Sequence, residues 1–550
     1  MTHCYSTGSV SGGSYVGGLV GSNGGSPRYY FQAGTVTYSY STGLVSGTSY
    51  VGGLVAQSAG GVAMATCFWD THTSGQATSA GGTGKTTAEM QTARTFLPWA
   101  TCGNEGIWTI DGGRDYPRLW WQNRPGAPIT LAPSLRDLLI GEGTEQSPYL
   151  IHIAEELNLL GLFPCDWDKH FKLMADIDLS ALDGKEGRPA FNIIAPDADP
   201  SRSGFQGTPF TGVFDGNSRT ISHLTITSVG YLGLFGCLET GTEVKNLGVV
   251  DINIVGSASY VDGLVGSNSS WNTQGGSVTN CYSTGVIRGT GSEVGGLVGY
   301  NWAGRLTQCH STAWVSGCDN VGGLVGSNVW DYDFQGGTLI QCYSAGAVNG
   351  NDNVGGLVGR NHSGVVSQCY STGAVNGTDD VGGLVGYNYG SITTSYSTGT
   401  VDGNDWVGGL IGYTEDGIIR DCYSMAGVAG RNGVGGLIGA SWGECDWDGS
   451  CWYPDISRCY SAGPVTGETN VGALIGVTDG EVLACFWDTQ SSGQATSAGG
   501  TGKTTAEMQK ASTFLDAGWD FMGETKNGTA DTWWILEGKG YPFFAPKTRF

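Results

Sequence analysis

The sequence is poor in charge, and most of the charge that it carries has one sign. Only 14% of the 550 residues are Asp, Glu, Lys or Arg, and 26 basic against 49 acidic residues give a net charge of −23. A strongly acidic chain is repelled by nucleic acid and by anionic lipid. The sequence therefore predicts no nucleic-acid partner and leaves cations and basic partners open.

Long apolar runs and histidine clusters are also missing. No stretch approaches the roughly 18 consecutive apolar residues of a membrane span, so we expect no membrane insertion. The seven His residues are scattered, and no H-E-x-x-H motif is present. This excludes the zinc-binding pattern of the common metallopeptidases.

Glycine is abundant, with 96 of the 550 residues, yet no three-residue period of the collagen type appears. A hydrophobic content of 39% with 18 Trp residues argues against disorder. The length exceeds what one compact core usually holds, which favours several domains or an elongated repeat.

A phrase close to V-G-G-L-V-G recurs along the chain. Val354, Val381, Val407 and Val434 begin copies that are 27, 26 and 27 residues apart. A second phrase, C-Y-S-T-G, accompanies it and starts at Cys4, Cys281 and Cys369, with variants between. The full set of first residues of the V-G-G-L-V-G-like phrases is Val16, Val51, Val261, Val294, Val321, Val354, Val381, Val407, Val434 and Val471.

Each repeat contains short β-prone runs separated by Gly, Asn, Asp and Ser, without helical periodicity. One unit of about 27 residues cannot bury its own apolar face, whereas equivalent units stacked about 4.8 Å apart bury continuous rows of Val, Leu and Cys. The sequence thus predicts an all-β fold, a parallel β-solenoid of ~27-residue coils. We expect a right-handed β-helix, the usual hand of parallel crossovers.

The V-G-G-L-V-G-x-N phrase with C-Y-S-T-G beside it resembles the GLUG-motif repeats of large bacterial surface proteins. These include adhesin-like solenoids and the non-catalytic regions of some immunoglobulin-A-cleaving metallopeptidases. The resemblance covers roughly residues 1–66 and 221–485. It implies a solenoid in an extracellular or cell-surface setting and does not imply catalysis.

Residues 67–97 recur almost unchanged at 485–515, each time after the last V-G-G-L-like coil and before a Trp-rich stretch that ends in Tyr-Pro. We interpret both as C-terminal capping segments with short helices, which cover an open strand edge. Residues 1–121 are then the last coils and cap of a truncated solenoid unit, and 122–148 a linker. Residues 149–550 form a complete unit, with an N-cap at 149–220, coils at 221–485 and a C-cap at 486–550.

Two features bear on how the units begin. The N-cap combines a helical pattern after residue 149 with strands and a D-G-N turn at 215–217. The chain itself starts inside a repeat, which indicates either a fragment of a longer array or a coil edge covered by another molecule, for example by self-association.

The cysteines fall into two groups. Most occupy one position of the repeat, where stacked side chains point the same way, so we expect free buried thiols. Cys445 and Cys451 lie in an insertion and are predicted to form a disulfide; the alternative is two unpaired surface thiols.

Asp319, Asp352, Asp379 and Asp405 precede the V-G-G-L phrase by two positions in four consecutive coils. Stacked carboxylates repel each other. They either point into solvent at a turn or bind Ca²⁺ between successive coils. Calcium is the only cofactor that the sequence leaves open.

Insertions after the V-G-G-L-V-G-x-N phrase carry aromatic residues that should emerge along one edge of the rod. They either recognise glycans or other surface proteins, or fold back and shield the solenoid. The aromatic residues predicted to bind are Trp330, Tyr332, Trp442, Trp447 and Trp452.

Together these features predict a non-catalytic extracellular or cell-surface repeat protein, structural or adhesive, that presents aromatic loops along a rod and self-assembles into filaments. The alternative is a polysaccharide-active β-helix enzyme, a lyase or hydrolase, that uses acidic residues on one face.

Overall fold

Two compact units make up the chain, Met1–Ser134 and Leu135–Phe550. Their boundary falls within the segment 122–148 that the sequence predicts as a linker. The computed structural model describes residues 1–23, 36–58, 66–99, 107–129, 135–200, 202, 204–257, 259–269, 275–329, 336–445 and 451–545.

Parallel strands of successive coils pair in register throughout the second unit, which confirms the predicted β-solenoid. Val321, Val354, Val381, Val407 and Val434 are direct partners from one coil to the next. The strands of this face form one eight-stranded parallel sheet. Its members are Val261–Asp262, Val294–Gly295, Val321–Gly322, Asp352–Gly355, Asp379–Gly382, Asp405–Gly408, Asn432–Gly435 and Thr469–Gly472.

The other faces of the coils belong to one long sheet of 36 strands. The face after the V-G-G-L phrase comprises Val265–Asn268, Val298–Trp302, Val325–Val329, Val358–Ser367, Val385–Thr393, Ile411–Glu415, Ile438–Trp442 and Ile475–Thr478. Two of those strands, Val358–Ser367 and Val385–Thr393, continue into the next face of the coil. The other strands of that face are Ser277–Thr279, Arg305–Thr307, Thr338–Ile340, Ile418–Arg420, Asp455–Ser457 and Val482–Leu483.

The face that begins after the Cys position comprises Tyr282–Gly289, His310–Ser311, Tyr343–Ser344, Tyr370–Ser371, Tyr396–Ser397, Tyr423–Ser424, Tyr460–Ser461, Phe486–Asp488 and Thr501–Lys503. It is followed by Trp314–Ser316, Val348–Asn349, Val375–Asn376, Thr400–Asp402, Gly427–Ala429 and Val465–Thr466.

The solenoid opens with a helix, Ala154–Leu160, and longer strands that lead into the first coils. The strands are Tyr149–Ile151, His170–Leu173, Ile177–Asp178, Val213–Ser222, Thr225–Ser228, Phe235–Leu238 and Glu243–Gly256, with 3-10 turns at Leu135–Asp137, Pro164–Asp166 and Ser180–Leu182. The D-G-N segment does not reverse the chain. It is a bulge inside Val213–Ser222, which stays parallel to Glu243–Gly256 on both sides of it.

At its other end, the second unit closes with two short helices, Thr505–Met508 and Ala511–Leu515, and a hairpin of Trp533–Trp534 with Phe543–Phe544. Thr504 caps the first helix, because its side chain accepts from the Glu507 backbone while the Glu507 carboxylate accepts from the Thr504 backbone. Among the described residues, no helix has the combined length and apolar character that a membrane crossing requires.

The first unit repeats this organisation on a smaller scale. Its helices are Thr71–Ser74 and Thr87–Met90, with 3-10 turns at Ala93–Trp99 and Trp120–Gln122. Its strands are Tyr5–Ser6, Val10–Ser11, Ser14–Gly17, Val20–Asn23, Tyr40–Ser41, Val45–Ser46, Ser49–Gly52, Val55–Ser58, Phe68–Asp70, Thr83–Lys85, Trp108–Ile110, Arg118–Leu119 and Ala127–Pro128.

The duplicated segments fold alike in the two units. The Tyr40 hydroxyl donates to the Pro117 carbonyl at 2.6 Å, and the Tyr460 hydroxyl donates to the Pro542 carbonyl at 2.6 Å. In both cases the Tyr of the Tyr-Pro pair donates to an aspartate that caps the turn after the last coil, Asp70 or Asp488. The hydrogen bonds of the Tyr-Pro pair therefore hold each capping segment against the coils of its own unit.

A row of asparagines runs through the interior of the second unit. Each of the first four side chains donates to the amide oxygen of the next one at 2.8 Å and also to a glycine carbonyl of its own coil. The last one, Asn388, donates to Thr414 Oγ1 at 3.1 Å and to the Gly390 carbonyl. All are fully buried. A buried amide whose donors and acceptors are all paired avoids the cost of desolvation. We call Asn268, Asn301, Asn328, Asn361 and Asn388 the asparagine ladder.

Aromatic rings form a second row on the face that follows the cysteines. Successive rings stack nearly parallel, with centroids 4.5 to 5.1 Å apart. The last rings of the row are covered by Trp533, Phe544 and Trp519 from the closing segment. The row consists of Tyr282, His310, Tyr343, Tyr370, Tyr396, Tyr423 and Tyr460.

The cysteine row is buried and unpaired, as the sequence predicts. Its members are 0 to 2% exposed, and each thiol is free. Burial in an apolar row raises the pKa of thiols such as Cys281 and Cys422. The row comprises Cys281, Cys309, Cys342, Cys369, Cys422, Cys459 and Cys485, with Ser395 in one coil.

Candidate functional site

The residue just before each V-G-G-L phrase has a left-handed backbone in every coil of the second unit. Its φ lies between 52° and 67° in all eight copies. Non-glycine residues rarely adopt this conformation, and Asn and Asp tolerate it best. The position nevertheless carries varied side chains on the outside of the rod. They are Tyr260, Glu293, Asn320, Asn353, Asp380, Trp406, Gly433 and Asn470.

Beside this position the structure forms an open groove of about 640 Å³ that spans several coils. It places carboxylates of the aspartate column beside aromatic rings. The lining residues are Asp352, Asn353, Asp379, Asp380, Trp406, Tyr413 and Trp442, and we call this region the acidic-aromatic groove.

Trp406 owes its position to the glycine in the following coil. It has a φ of 56°, which a bulky residue seldom adopts. A Cβ on Gly433, its counterpart in the next coil, would lie 2.3 Å from the indole ring. The absence of a side chain at Gly433 therefore makes the space in which the ring lies. Trp442 forms another wall and is 37% exposed.

The aspartates of the predicted column lie in register on this face. Asp352 pairs with Asp379, and Asp379 pairs with Asp405. Asp319 lies one coil earlier, where its carboxylate accepts from the Ser292 hydroxyl at 3.4 Å. Asp405 forms an ion pair with Arg431 at 2.8 Å. The column is thus partly neutralised at Asp405.

The remaining carboxylates of the groove lack such compensation. Asp379 Oδ1 is buried without a hydrogen-bond partner among the described residues. Burial, with the charges of Asp379 and Asp352, raises the pKa of Asp380 to about 7. Burial and the neighbouring Asp379 also raise the pKa of Asp352. The carboxylates of the groove are thus crowded and uncompensated, and Asp380 is partly protonated near neutral pH.

Calcium at this column stays a prediction. In the described part of the chain, no three His, Cys, Asp or Glu side chains converge closely enough to hold a metal ion. The carboxylates of Asp352 and Asp379 are spaced along the rod by the coil repeat, whereas Ca²⁺ needs six to eight oxygens around one point.

A second acidic position lies in the same left-handed row. Glu293 accepts from the Asn320 side chain at 2.9 Å, and burial raises its pKa to about 7. In the preceding coil, burial also raises the pKa of the fully buried Asp262. These groups retain a proton in the folded protein at pH values where the unfolded chain has lost it.

Replacing Glu293 with Gln is expected to stabilise the protein at pH 8 by on the order of 1 to 3 kcal/mol. The folded-state pKa is raised, so the contribution of Glu293 to stability is complete below about pH 4.5 and is lost as the pH rises toward 7 and above. Urea unfolding of E293Q and the parent at pH 5 and pH 8 measures this. The exposed Glu468→Gln variant is the control, and an equal pH dependence in E293Q and the parent contradicts the assignment.

Of the predicted aromatic binding residues, Trp442 lines the groove and Trp452 is 49% exposed on a separate hairpin. Trp330, Tyr332 and Trp447 lie outside the described residues. Trp406 and Tyr413 were missed. The signal available in the sequence was an aromatic residue at the variable position before V-G-G-L and another at the x of the L-I-G-x phrase.

The hairpin of Glu444–Cys445 and Cys451–Trp452 bears on the predicted disulfide. Cys451 is disulfide-bonded, and Cys445 lies directly opposite it in the antiparallel register. Directly opposite residues of an antiparallel pair lie within the Cα separation that a disulfide spans. The pairing of these two residues stays a prediction.

Peptide mapping without reduction tests this pairing. We expect a proteolytic peptide containing Cys445 to remain linked to one containing Cys451, and reduction to separate them. In the same digest, the thiols of Cys342 and Cys369 should carry the alkylating agent added after denaturation. A modified Cys445 thiol in the unreduced sample would contradict the predicted bond.

A profile of the GLUG motif matches residues 290–316, 350–376 and 377–402. The chain is 31% identical over 183 residues to halomucin of Haloquadratum walsbyi, covering 33% of this chain and 2% of that protein. It is 34% identical over 133 residues to a provisionally named Gly-rich membrane protein of Evansella cellulosilytica, covering 23% of this chain and 14% of that protein. The chain thus spans only a small part of the length of these relatives.

Among solved structures, a protein from Bacteroides ovatus that is named provisionally as an immunoglobulin A1 protease aligns with a TM-score of 0.38. The alignment has 17% identity and covers 74% of this chain and 94% of that one. A likeness of this degree adds nothing about activity. The in-register coils and the three matched copies show that this part of the chain is built of GLUG-motif repeats.

Proposed function

We propose that this chain is a non-catalytic structural and adhesive repeat protein of the cell surface. The observation that carries the proposal is the contrast between the inside and the outside of the coils. Inward positions repeat the same residue from coil to coil, as in the asparagine ladder and the cysteine row. The outward left-handed position instead holds Tyr, Glu, Asn, Asp, Trp or Gly. A constant scaffold with a variable exterior suits display of binding surfaces.

The comparisons support a surface setting, since the relatives include halomucin and a Gly-rich membrane protein. A rod of stacked coils presents several binding positions along one axis. Many weak contacts then add through a high effective concentration. We therefore propose that the acidic-aromatic groove is one recognition site of this rod, with glycans, other surface proteins or further copies of the chain as partners.

Cell-surface placement is testable in cells that produce the protein. An antibody raised against the second unit should label intact cells, and protease added outside should remove the signal. A cytoplasmic protein of the same cells should survive the protease. Labelling that appears only after permeabilisation would contradict the proposal.

A polysaccharide-active enzyme is the second candidate, because the groove places Asp379 and Asp380 beside aromatic walls. Paired carboxylates are the usual catalytic groups of glycosidases. Incubating the chain with a panel of acidic and neutral polysaccharides and measuring new reducing ends tests this. Hydrolysis that the D379N variant lacks would replace the structural proposal with the enzymatic one; no release above that of D379N supports the non-catalytic function.

A further inference from the structure

The acidic-aromatic groove combines two features that attract the same type of ligand. Trp406, Tyr413 and Trp442 contribute aromatic rings to its lining, and Asp352, Asp379 and Asp380 contribute carboxyl groups. The face of an aromatic ring attracts a cation through its quadrupole, most strongly for Trp. A neutral ligand would leave the crowded carboxylates without compensation.

The spacing of the charges distinguishes an organic cation from a metal ion. Asp352 and Asp379 are register partners on adjacent coils, so their backbones are about 4.8 Å apart along the rod. No three acidic or metal-ligating side chains of the described residues converge on one point. Charge that is distributed in this way matches a ligand with several positive groups joined by hydrocarbon.

Elsewhere the protein supplies its own cation to such rings. Arg288 lies over Trp314 at 5.2 Å from the ring centroid, and Arg360 lies 5.9 Å from that of Tyr387. In the described ranges, neither Trp406 nor Trp442 has such a contact. The nearby Arg431 is engaged by Asp405. The groove is therefore left open to a cation from outside the chain.

We propose that the acidic-aromatic groove binds organic ammonium groups, carried either by a polyamine or by the lysine side chains of a basic polypeptide. Alkyl carbons of the ligand pack on Trp406 and Trp442 while the ammonium groups lie against the aspartates. This inference rests on the proposed function, because it names the ligand class of the recognition site assigned there.

Calorimetric titration of the full chain with spermidine and, separately, with a lysine tetrapeptide tests the proposal. We expect both to bind, with affinity falling at least threefold between 50 and 200 mM salt because the contact is ionic. The relative affinities of the two probes identify the source of the ammonium group. CaCl₂ and the neutral sugar cellohexaose serve as competing probes.

Variants locate the site. W406A and the double variant D379N/D380N should each weaken spermidine binding at least tenfold. W120A and E468Q remove an exposed aromatic residue and an exposed acid outside the groove and should leave the affinity unchanged. Circular dichroism checks that each variant folds. If W406A does not fold, W442A takes its place, because that side chain is 37% exposed and its loss leaves the interior intact.

The pH dependence gives an independent readout. Asp380 faces the carboxylates of Asp379 and Asp352 and the phenol of Tyr413, and its pKa is raised to about 7. Spermidine affinity should therefore decrease as the pH falls from 8 to 6, and the single variant D380N should show a flatter profile.

Spermidine binding that is insensitive to D379N/D380N would overturn the proposal, as would the absence of spermidine and peptide binding at millimolar concentration. Binding of cellohexaose or Ca²⁺ alone, lost in W406A or D379N/D380N, would also overturn it while leaving a recognition groove on a surface rod in place. Failure of surface labelling on intact cells would instead contradict the proposed function and leave the ammonium site standing.

Discussion

Replacing Asn328 with Leu is expected to lower the free energy of unfolding by roughly 3 to 5 kcal/mol. The Asn328 side chain donates to Asn361 at 2.8 Å and to the Gly337 carbonyl at 2.9 Å, and it accepts from Asn301 at 2.8 Å. Leu has a similar volume but leaves these buried groups unpaired. Urea unfolding followed by circular dichroism measures the change.

The chain provides a matched control for this substitution. Asn376 donates to Asn349 at 3.2 Å on an exposed part of the coil, so it makes the same inter-coil contact in water. Replacing Asn376 with Ala should cost about 0.5 kcal/mol or less, since water takes over the hydrogen bond. If N328L and N376A have equal effects, the asparagine ladder does not contribute as we describe.

Replacing Gly356 with Val is expected to prevent stable stacking of its coil, at a cost of more than about 4 kcal/mol. Gly356 is the second glycine of its V-G-G-L phrase. A Cβ there would lie 2.2 Å from the Gly383 carbonyl oxygen and 2.3 Å from Ser371 Oγ. The Gly383 carbonyl cannot move, since it belongs to the backbone of the next stacked coil, and the Ser371 side chain is fully buried. Thermal unfolding and protease sensitivity of G356V measure the loss.

The equivalent residue of the last coil is Ala473, which is fully buried. No further V-G-G-L coil stacks on Ala473. The closing segment lies there instead, and the Ala473 N–H donates to the Thr496 carbonyl. Replacing Ala473 with Gly should therefore cost only about 1 kcal/mol. A G356V variant as stable as A473G would show that the close approach of the glycines is not required.

The sequence was sufficient to predict the coil and its register. Val, Leu and Cys recur at a period close to 27, and burial on one side of a strand fixes its register strongly. Short helices in the capping segments were also predicted, and the capping box at Thr504 that begins one of them depends only on residues close together in the sequence. Local and periodic features depend little on which coils are neighbours in space.

The acidic-aromatic groove was predicted only in part. The Asp column and Trp442 were identified, but Trp406 was not, since its position depends on a left-handed backbone and on the missing side chain of Gly433. Both conditions arise only when two coils stack, so neither repeat shows them in its own sequence. The prediction of a turn at the D-G-N segment was wrong for a related reason. Its strand is held parallel by Glu243–Gly256, and the additional residues are absorbed as a bulge.

The most direct test of the account is a distance between coils measured by pulsed electron paramagnetic resonance. Ser316 and Thr466 are linked through the register by five successive coil steps, by way of Asn349, Asn376, Asp402 and Ala429. Spin labels on non-natural residues at these two positions leave the native thiols untouched.

In-register stacking predicts a backbone separation of about 24 Å for this pair and about 14 Å for Ser316 with Asp402, which are three steps apart. The difference of about 10 Å should appear between the two label pairs whatever the length of the label. Separations that do not increase with the number of coils, or that spread broadly, would contradict the stacked solenoid on which the groove depends.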